Sequence, residues 1–415
     1  MAASGSVNYG VEMEFVFAFQ EKELLLGNSK IQKELSYGIR EQYPEFTPIP
    51  ATILPNHRYN IWGVMDSGAK EVRPYNMEPQ RILQRKLCQT LPRIPTRVFG
   101  TIYGPDKTEA KMKYDQWAVT VDHTVCGVGS ANIPGSLPNR NIDPREWDSY
   151  GLELVSPVLN SANPQHKVDI KQLVEETAGI PDDRHGAFIT KQCGLHVHIE
   201  APQILEVLKE LATLLVIYEE EISRLHPAVR MPGHRAAANQ LDSNRLYFLH
   251  GGDLDFDKTK ANWVGGNFST SALKKEYNIP RLRARMSLIK KKEALSQKMC
   301  WPSPPDKPNG GRRRLVNFTY LTRGKGYAET IEFRQARGSL DGEEINHWID
   351  FCVGLVKFAD FYVHNPDKFP VKSFDDIRQN EGTPANNFGI FKLMRDMDLS
   401  ESAIQFWYNK IQQYK

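Results

Sequence analysis

The 415-residue chain lacks the features that would place it in several large functional classes. Its five cysteines, Cys88, Cys126, Cys193, Cys300 and Cys352, are odd in number, far apart and never form a CxxC pair. Neither a disulfide framework nor a structural zinc knuckle is indicated, and a reducing compartment fits better. No window approaches the ~18 uninterrupted apolar residues of a membrane helix. Met1–Gly10 is small and polar, without the basic start and apolar stretch of a secretory signal. The expectation is a cytoplasmic protein without a membrane partner. A formal charge of +3 is too small to imply nucleic acid, because tracking phosphates needs a concentrated basic face. There is no GxxxxGKS/T loop, so phosphate binding by a P-loop is excluded, and no HExxH pattern.

The rest of the composition is that of an ordinary globular protein, with 40% hydrophobic and 25% charged residues and no internal repeat. Apolar and polar positions alternate from Tyr9 to Phe19, the period of a strand. A helical stretch is expected over Glu21–Glu41, followed by a loop rich in Pro and Asn through Asn60. Further strands are expected at Trp117–Asp122, Gly151–Val158, Cys193–Glu200, Arg314–Tyr320 and Ala328–Gln335. Pro202 opens a helical pattern reaching about His226. Asp341 with Glu344 makes a capping-box start for a helix to about Val363. Two more helices, near Asn386–Met397 and Ser400–Gln413, close the chain. Between about Val229 and Arg313 the character changes: the stretch carries arginines 281, 283 and 285, Lys290-Lys291-Lys292 and Arg312-Arg313-Arg314, with Gly265-Gly266 and Gly310-Gly311. The expectation is one catalytic domain with an inserted, basic, lid-like segment that closes over a nucleotide or forms a solvated basic helix.

Four of the strands carry polar groups at i and i+2, which puts each pair on one face of a sheet. Glu12 and Glu14 would stand ~6.5–7 Å apart and repel unless a cation lies between or beside them. Surface acids on a solvated face are the alternative, but Phe15-Val16-Phe17-Ala18-Phe19, apolar on both faces, argues for a central strand. His196, His198 and Glu200 share one face of a second strand, and imidazole both ligates metals and orients phosphates. Glu332 and Arg334 share a face of a third; a structural ion pair would explain them, but the pair also suits a metal-plus-phosphate site. Glu153 is the lone charge in an apolar strand. Asp122 is either a further ligand or a turn residue.

The order of Gly10-Val11-Glu12-Met13-Glu14-Phe15, Glu153-Leu154-Val155-Ser156-Pro157-Val158, Cys193-Gly194-Leu195-His196-Val197-His198 and Thr330-Ile331-Glu332-Phe333-Arg334 resembles the amidoligase family. That family is a branch of the carboxylate–amine ligases that share a fold with glutamine synthetase and glutamate–cysteine ligase. The resemblance spans about Tyr9 to Ala359, apart from the Val229–Arg313 segment. It implies an α+β, glutamine-synthetase-like fold: a largely antiparallel curved sheet carrying the site, with helices on its outer face. It implies Mg2+, with Mn2+ as an alternative, held by Glu12, Glu14, Glu153, His196 and Glu332, His196 being favoured over His198 as the ligand. It assigns Arg334 to the transferred phosphate, with His198 and Arg337 on the nucleotide side. Asp122 matches an aspartate that the family often follows with Gly-Ser, whereas His123-Thr124 follow here, which weakens its assignment. The implied reaction is ATP-dependent condensation of a small-molecule or peptide carboxylate with an amine. A zinc hydrolase using His196 and His198, and a non-enzymatic nucleotide- or nucleic-acid-binding protein using the basic segment, remain the alternatives.

Overall fold

The computed structural model describes residues 5–20, 78–99, 114–121, 124–181, 183–231, 243–244, 248, 279–300, 314–322, 328–368 and 389–414, and the backbone of strands at 46–49, 61–65 and 73–75. Asp122, the helix expected over 21–41 and much of the 229–313 segment lie outside these residues.

Strand β1 (Asn8–Gln20) is the centre of the fold. Its odd-numbered residues Val11, Met13, Phe15, Phe17 and Phe19 are all buried on one face, as the alternation requires. Three short strands, β2 (Phe46–Ile49), β3 (Ile61–Met65) and β4 (Arg73–Tyr75), form a separate antiparallel sheet. β2 falls within the expected loop; it is an edge strand, where Pro48 is tolerated. Helix α1 (Glu78–Thr90) leads to β5 (Thr96–Val98) and β6 (Trp117–Thr120). Strand β7 (Trp147–Val155) pairs antiparallel with one side of β1, and β8 (Leu159–Asn160) extends that side. After helix α2 (Gln165–Ala178), strands β9 (His185–Phe188) and β10 (Gly194–Glu200) cover the other side of β1. The order β11-β12-β10-β1-β7-β6-β5 is completed by β11 (Val316–Asn317) and β12 (Thr330–Arg337), and among the described strands β5–β6 alone is a parallel pair. The Arg314–Tyr320 strand is shorter than expected because a helical turn, Thr319–Thr322, replaces its end.

Helices α3 (Leu205–Ser223) and α6 (Gly342–His364) bury apolar side chains in the same core as the odd-numbered face of β1. Asp341 caps α6 as expected, its carboxylate accepting the N–H groups of Glu343 and Glu344 at 3.0 and 3.2 Å. Glu344, however, does not reach back to the cap. It accepts from Ser339 and Lys410 at 2.9 Å, tying α6 to the C-terminal helix α8 (Glu401–Gln413), which follows α7 (Gly389–Asp396). Within the basic segment, α4 (Ile279–Ser287) docks through Ile279, Leu282 and Met286, and α5 (Lys292–Cys300) follows it. Both guanidinium NH2 groups of Arg283 donate to Glu210 on α3 at 2.7 Å. No helix among the described residues is long and apolar enough to cross a membrane.

The even-numbered face of β1 is divided. Val16 and Ala18 lie under an apolar cap formed by Val125, Ile133, Leu137 and Ile142, while Glu12 and Glu14 do not. The cap lies flat on the sheet because β7 has a glycine beneath it: a Cβ on Gly151 would come within 2.0 Å of the Val125 carbonyl oxygen.

On the helix side, His226 is buried against Trp348, ring centroids 4.5 Å apart, and its Nε2 has no hydrogen-bond partner among the described residues. Burial, reinforced by Arg230 and Arg337, lowers its pKa to about 3. The unfolded chain takes up this proton near pH ~6.5, whereas the native state refuses it until about 3, so stability is complete above the higher value and falls with pH between the two. The urea midpoint is expected to drop between pH 7 and pH 5, and His226→Phe to flatten that drop; an unchanged slope would show that His226 does not cause it.

Candidate active site

The uncapped half of the even-numbered face gathers polar side chains from four strands. Register explains the gathering: Glu12 stands opposite His196, Glu14 opposite Glu153, and His198 opposite Glu332. Carboxylates that the sequence separates by more than three hundred residues therefore become neighbours.

Glu12 lies at the middle of the group. One of its oxygens is 3.2 Å from His196 Nδ1 and the other 3.2 Å from His198 Nε2. Glu332 Oε1 is 3.5 Å from His196 Nδ1 and 3.9 Å from His198 Nε2. Glu14 Oε2 accepts the Gly194 N–H at 2.6 Å, and its other oxygen is 3.7 Å from His196 Nε2. Glycine at 194 leaves room for these groups: a Cβ there would lie 2.8 Å from His196 Nε2 and 3.2 Å from Glu14 Oε2, so the site side chains would have to move. Glu14 is 2% exposed and Glu332 0%. Both oxygens of Glu332 are engaged, one by the Arg334 guanidinium and the other by Asn317 Nδ2 at 2.7 Å.

The electrostatics follow from this crowding. Burial alone would raise the Glu12 carboxyl, but His198 and His196 outweigh it and hold Glu12 well below the usual carboxylate range. The same balance lowers Glu332, with Arg334 as the largest opposing influence. Burial pulls the His198 imidazole down, yet Glu12 and Glu332 raise it overall. Arg334 is raised for the same reason: its carboxylate neighbours overcome the desolvation.

Among the described residues, two groups of side chains are spaced to hold a cation. Glu12, His198 and Glu332 form one and Glu12, Glu153 and His196 the other, with the ligand atoms of each within 4.8 Å of one another. Glu12 belongs to both. The donors suit a hard divalent ion, since each group offers two carboxylates and one imidazole. The two histidines fall in different groups, unlike the shared centre a zinc hydrolase would need.

A family model described as "Putative amidoligase enzyme" matches residues 6–235, more than half of the chain. The chain belongs to this amidoligase family. No curated protein and no solved structure matches it. The matched region contains Glu12, Glu14, Glu153, His196 and His198. Glu332 and Arg334 lie beyond it, and β12 delivers them to the same face.

The structure thus brings together Glu12, Glu14, Glu153, His196, His198, Glu332 and Arg334. It places Arg337 elsewhere: its guanidinium lies over the Tyr414 ring, 5.6 Å from the centroid, and its Nε is 3.9 Å from Glu344. Three site residues escape the strand patterns. Asn317 is fully buried against Glu332, and its only signal is an uncharged polar residue within the apolar run Leu315–Phe318. Tyr320 packs on His198 with centroids 5.4 Å apart. Arg230, from the turn after α3, is 4% exposed and carries no local signal.

Because Glu12 is common to both groups, Glu12→Gln should abolish Mn2+ binding at both positions, whereas Glu153→Gln and Glu332→Gln should each remove one. Calorimetric titration checks this through the stoichiometry; a Glu12→Gln protein that binds Mn2+ like the wild type would contradict the assignment.

Proposed function

We propose that this amidoligase is an ATP- and magnesium-dependent ligase that joins a carboxylate to an amine as a peptide- or isopeptide-type amide. The reading includes a single catalytic domain with a glutamine-synthetase-like sheet. The observation that carries it is Glu12, shared between two carboxylate–histidine groups on one sheet face.

Charge accounting supports a cation-dependent site. Four carboxylates (Glu12, Glu14, Glu153, Glu332) crowd together beside two guanidiniums (Arg230, Arg334) and two imidazoles (His196, His198). Like charges gathered on one sheet face repel, and a divalent cation offsets that repulsion. Glu12, His198 and Glu332 would hold one divalent ion, and Glu12, Glu153 and His196 the other, with Glu14 beside them. Such ions, Mg2+ or Mn2+, would offset the repulsion between a triphosphate and a carboxylate substrate and stabilise charge on the transferred phosphoryl group.

The chain's own groups do the rest. Arg334 presents a guanidinium at the site face, where it can hold a phosphate oxygen bidentately. Asn317 and Arg334 fix the Glu332 carboxylate between them, so its orientation does not depend on substrate. The apolar cap over Val16 and Ala18 keeps water from one flank. In the reaction, a substrate carboxylate oxygen takes the γ-phosphoryl group of ATP, releasing ADP. The amine nitrogen then attacks the acyl carbon, and the C–O bond to phosphate breaks. A small molecule or a peptide can supply either partner. Asp122 enters as a further catalytic carboxylate on the family resemblance alone.

The test is ADP release with Mg2+ across a panel of carboxylates and amines, followed by mass measurement of the condensed product. Glu14→Gln and Arg334→Ala should each lower ADP release at least ~100-fold, in the range seen when charge stabilisation of a transition state is lost, with unchanged circular dichroism. Full turnover in either variant, or turnover without nucleotide, would overturn the ligase reading.

A further inference from the structure

Arg230 is a buried cation with a specific task at an irregularity in the sheet. The pairing of β10 with β12 shifts register, so that Arg334 and Gln335 both stand opposite His196. This bulge lets Phe333 and Ala336, three residues apart, enter the same apolar core, while Glu332 and Arg334 stay on the site face. A bulge also leaves ladder carbonyls open, and a buried carbonyl needs a donor. Arg230 supplies two: NH2 donates to the Arg334 carbonyl at 2.6 Å and Nε to the Gln335 carbonyl at 3.3 Å. The same guanidinium borders the carboxylate cluster. A Cβ built on Gly194 would lie 3.3 Å from Arg230 NH2 and 3.2 Å from Glu14 Oε2, so the two groups share one small space. Burial brings the Arg230 pKa down to about 10, the carboxylate of Glu14 opposing the fall, and the group is charged at neutral pH.

We propose that Arg230 is a positioning residue, whose guanidinium locks the β12 bulge so that Arg334 meets a nucleotide phosphate. The proposal rests on the ligase reading. Lysine at this position keeps the charge but cannot donate to both carbonyls in the plane of a guanidinium.

The experiment measures affinity of the Mn2+-loaded protein for a non-hydrolysable ATP analogue, in the wild type, Arg230→Lys, Arg334→Ala and the double variant. Amide hydrogen exchange across 333–337 is followed in parallel. Arg230→Lys should weaken the analogue ~10-fold and speed exchange in β12 but not in β1. The double variant should bind no more weakly than Arg334→Ala alone, since both changes remove one interaction. If the wild type binds the analogue and Arg230→Lys binds it equally well, or if the two losses add, the proposal fails and the ligase reading stands. If the wild type binds no analogue, the ligase reading falls and takes the proposal with it. Should Arg230→Lys not fold, Arg230→Gln, which keeps an amide donor without the charge, repeats the comparison on the same terms.

Discussion

The antiparallel register of β1 against β10 and β7 is the constraint on which everything else depends. Because side chains alternate strictly, a slip of one residue would turn Glu12 and Glu14 into the helix-packed core and put Val11, Met13 and Phe15 on the site face. That asymmetry opposes such a slip. One face of β1 is apolar along its whole length, and an odd shift would take Phe15, Phe17 and Phe19 out of the helix-packed core. The same packing that stabilises the domain therefore holds four carboxylates close together, in an arrangement that could hold a cation.

The surrounding elements divide between holding the sheet and shaping its open face. Helices α3 and α6 seal the apolar side, and Trp348 joins α6 to β12 by packing edge-on against Phe333, centroids 6.4 Å apart. On the other side the segment from Val125 to Ile142 covers the distal half of β1 and stops short of Glu14. What is left is a polar sheet face with a dry flank, on which two of the carboxylates are fixed by second groups: Glu14 by the Gly194 amide, Glu332 by Asn317 and Arg334. Preorganised charge of this kind is the principal means by which proteins stabilise phosphoryl transfer.

Much of this was legible in the sequence, and the reason is period 2. Glu12 with Glu14, His196 with His198 and Glu332 with Arg334 each declare a shared face through spacing alone, and the apolar residues between them declare the opposite face. Long-range pairing is different. Nothing local says that Glu12 faces His196 rather than His198, or that Glu153 joins Glu14. Nor does alternation reveal the β12 bulge, since Glu332 and Arg334 obey the alternation up to the extra residue; that Arg337, at the end of the strand, meets Tyr414 and Glu344 has no local signal either. Arg230 was invisible for a related reason. It lies in a short turn, and its role is defined by carbonyls of a strand about a hundred residues away. The basic segment also reads differently in three dimensions. Its arginine-rich pattern suggests a solvated or substrate-covering helix, whereas α4 contributes Leu282 and Met286 to the core and Arg283 to an ion pair.

The most direct measurement of the central claim is anomalous diffraction from crystals grown with Mn2+ and a non-hydrolysable ATP analogue. The account predicts two manganese peaks with Glu12 ligating both, one also bound by His198 and Glu332 and the other by His196 and Glu153. Peaks that avoid Glu12, or no ordered metal on this face when nucleotide is bound, would contradict it.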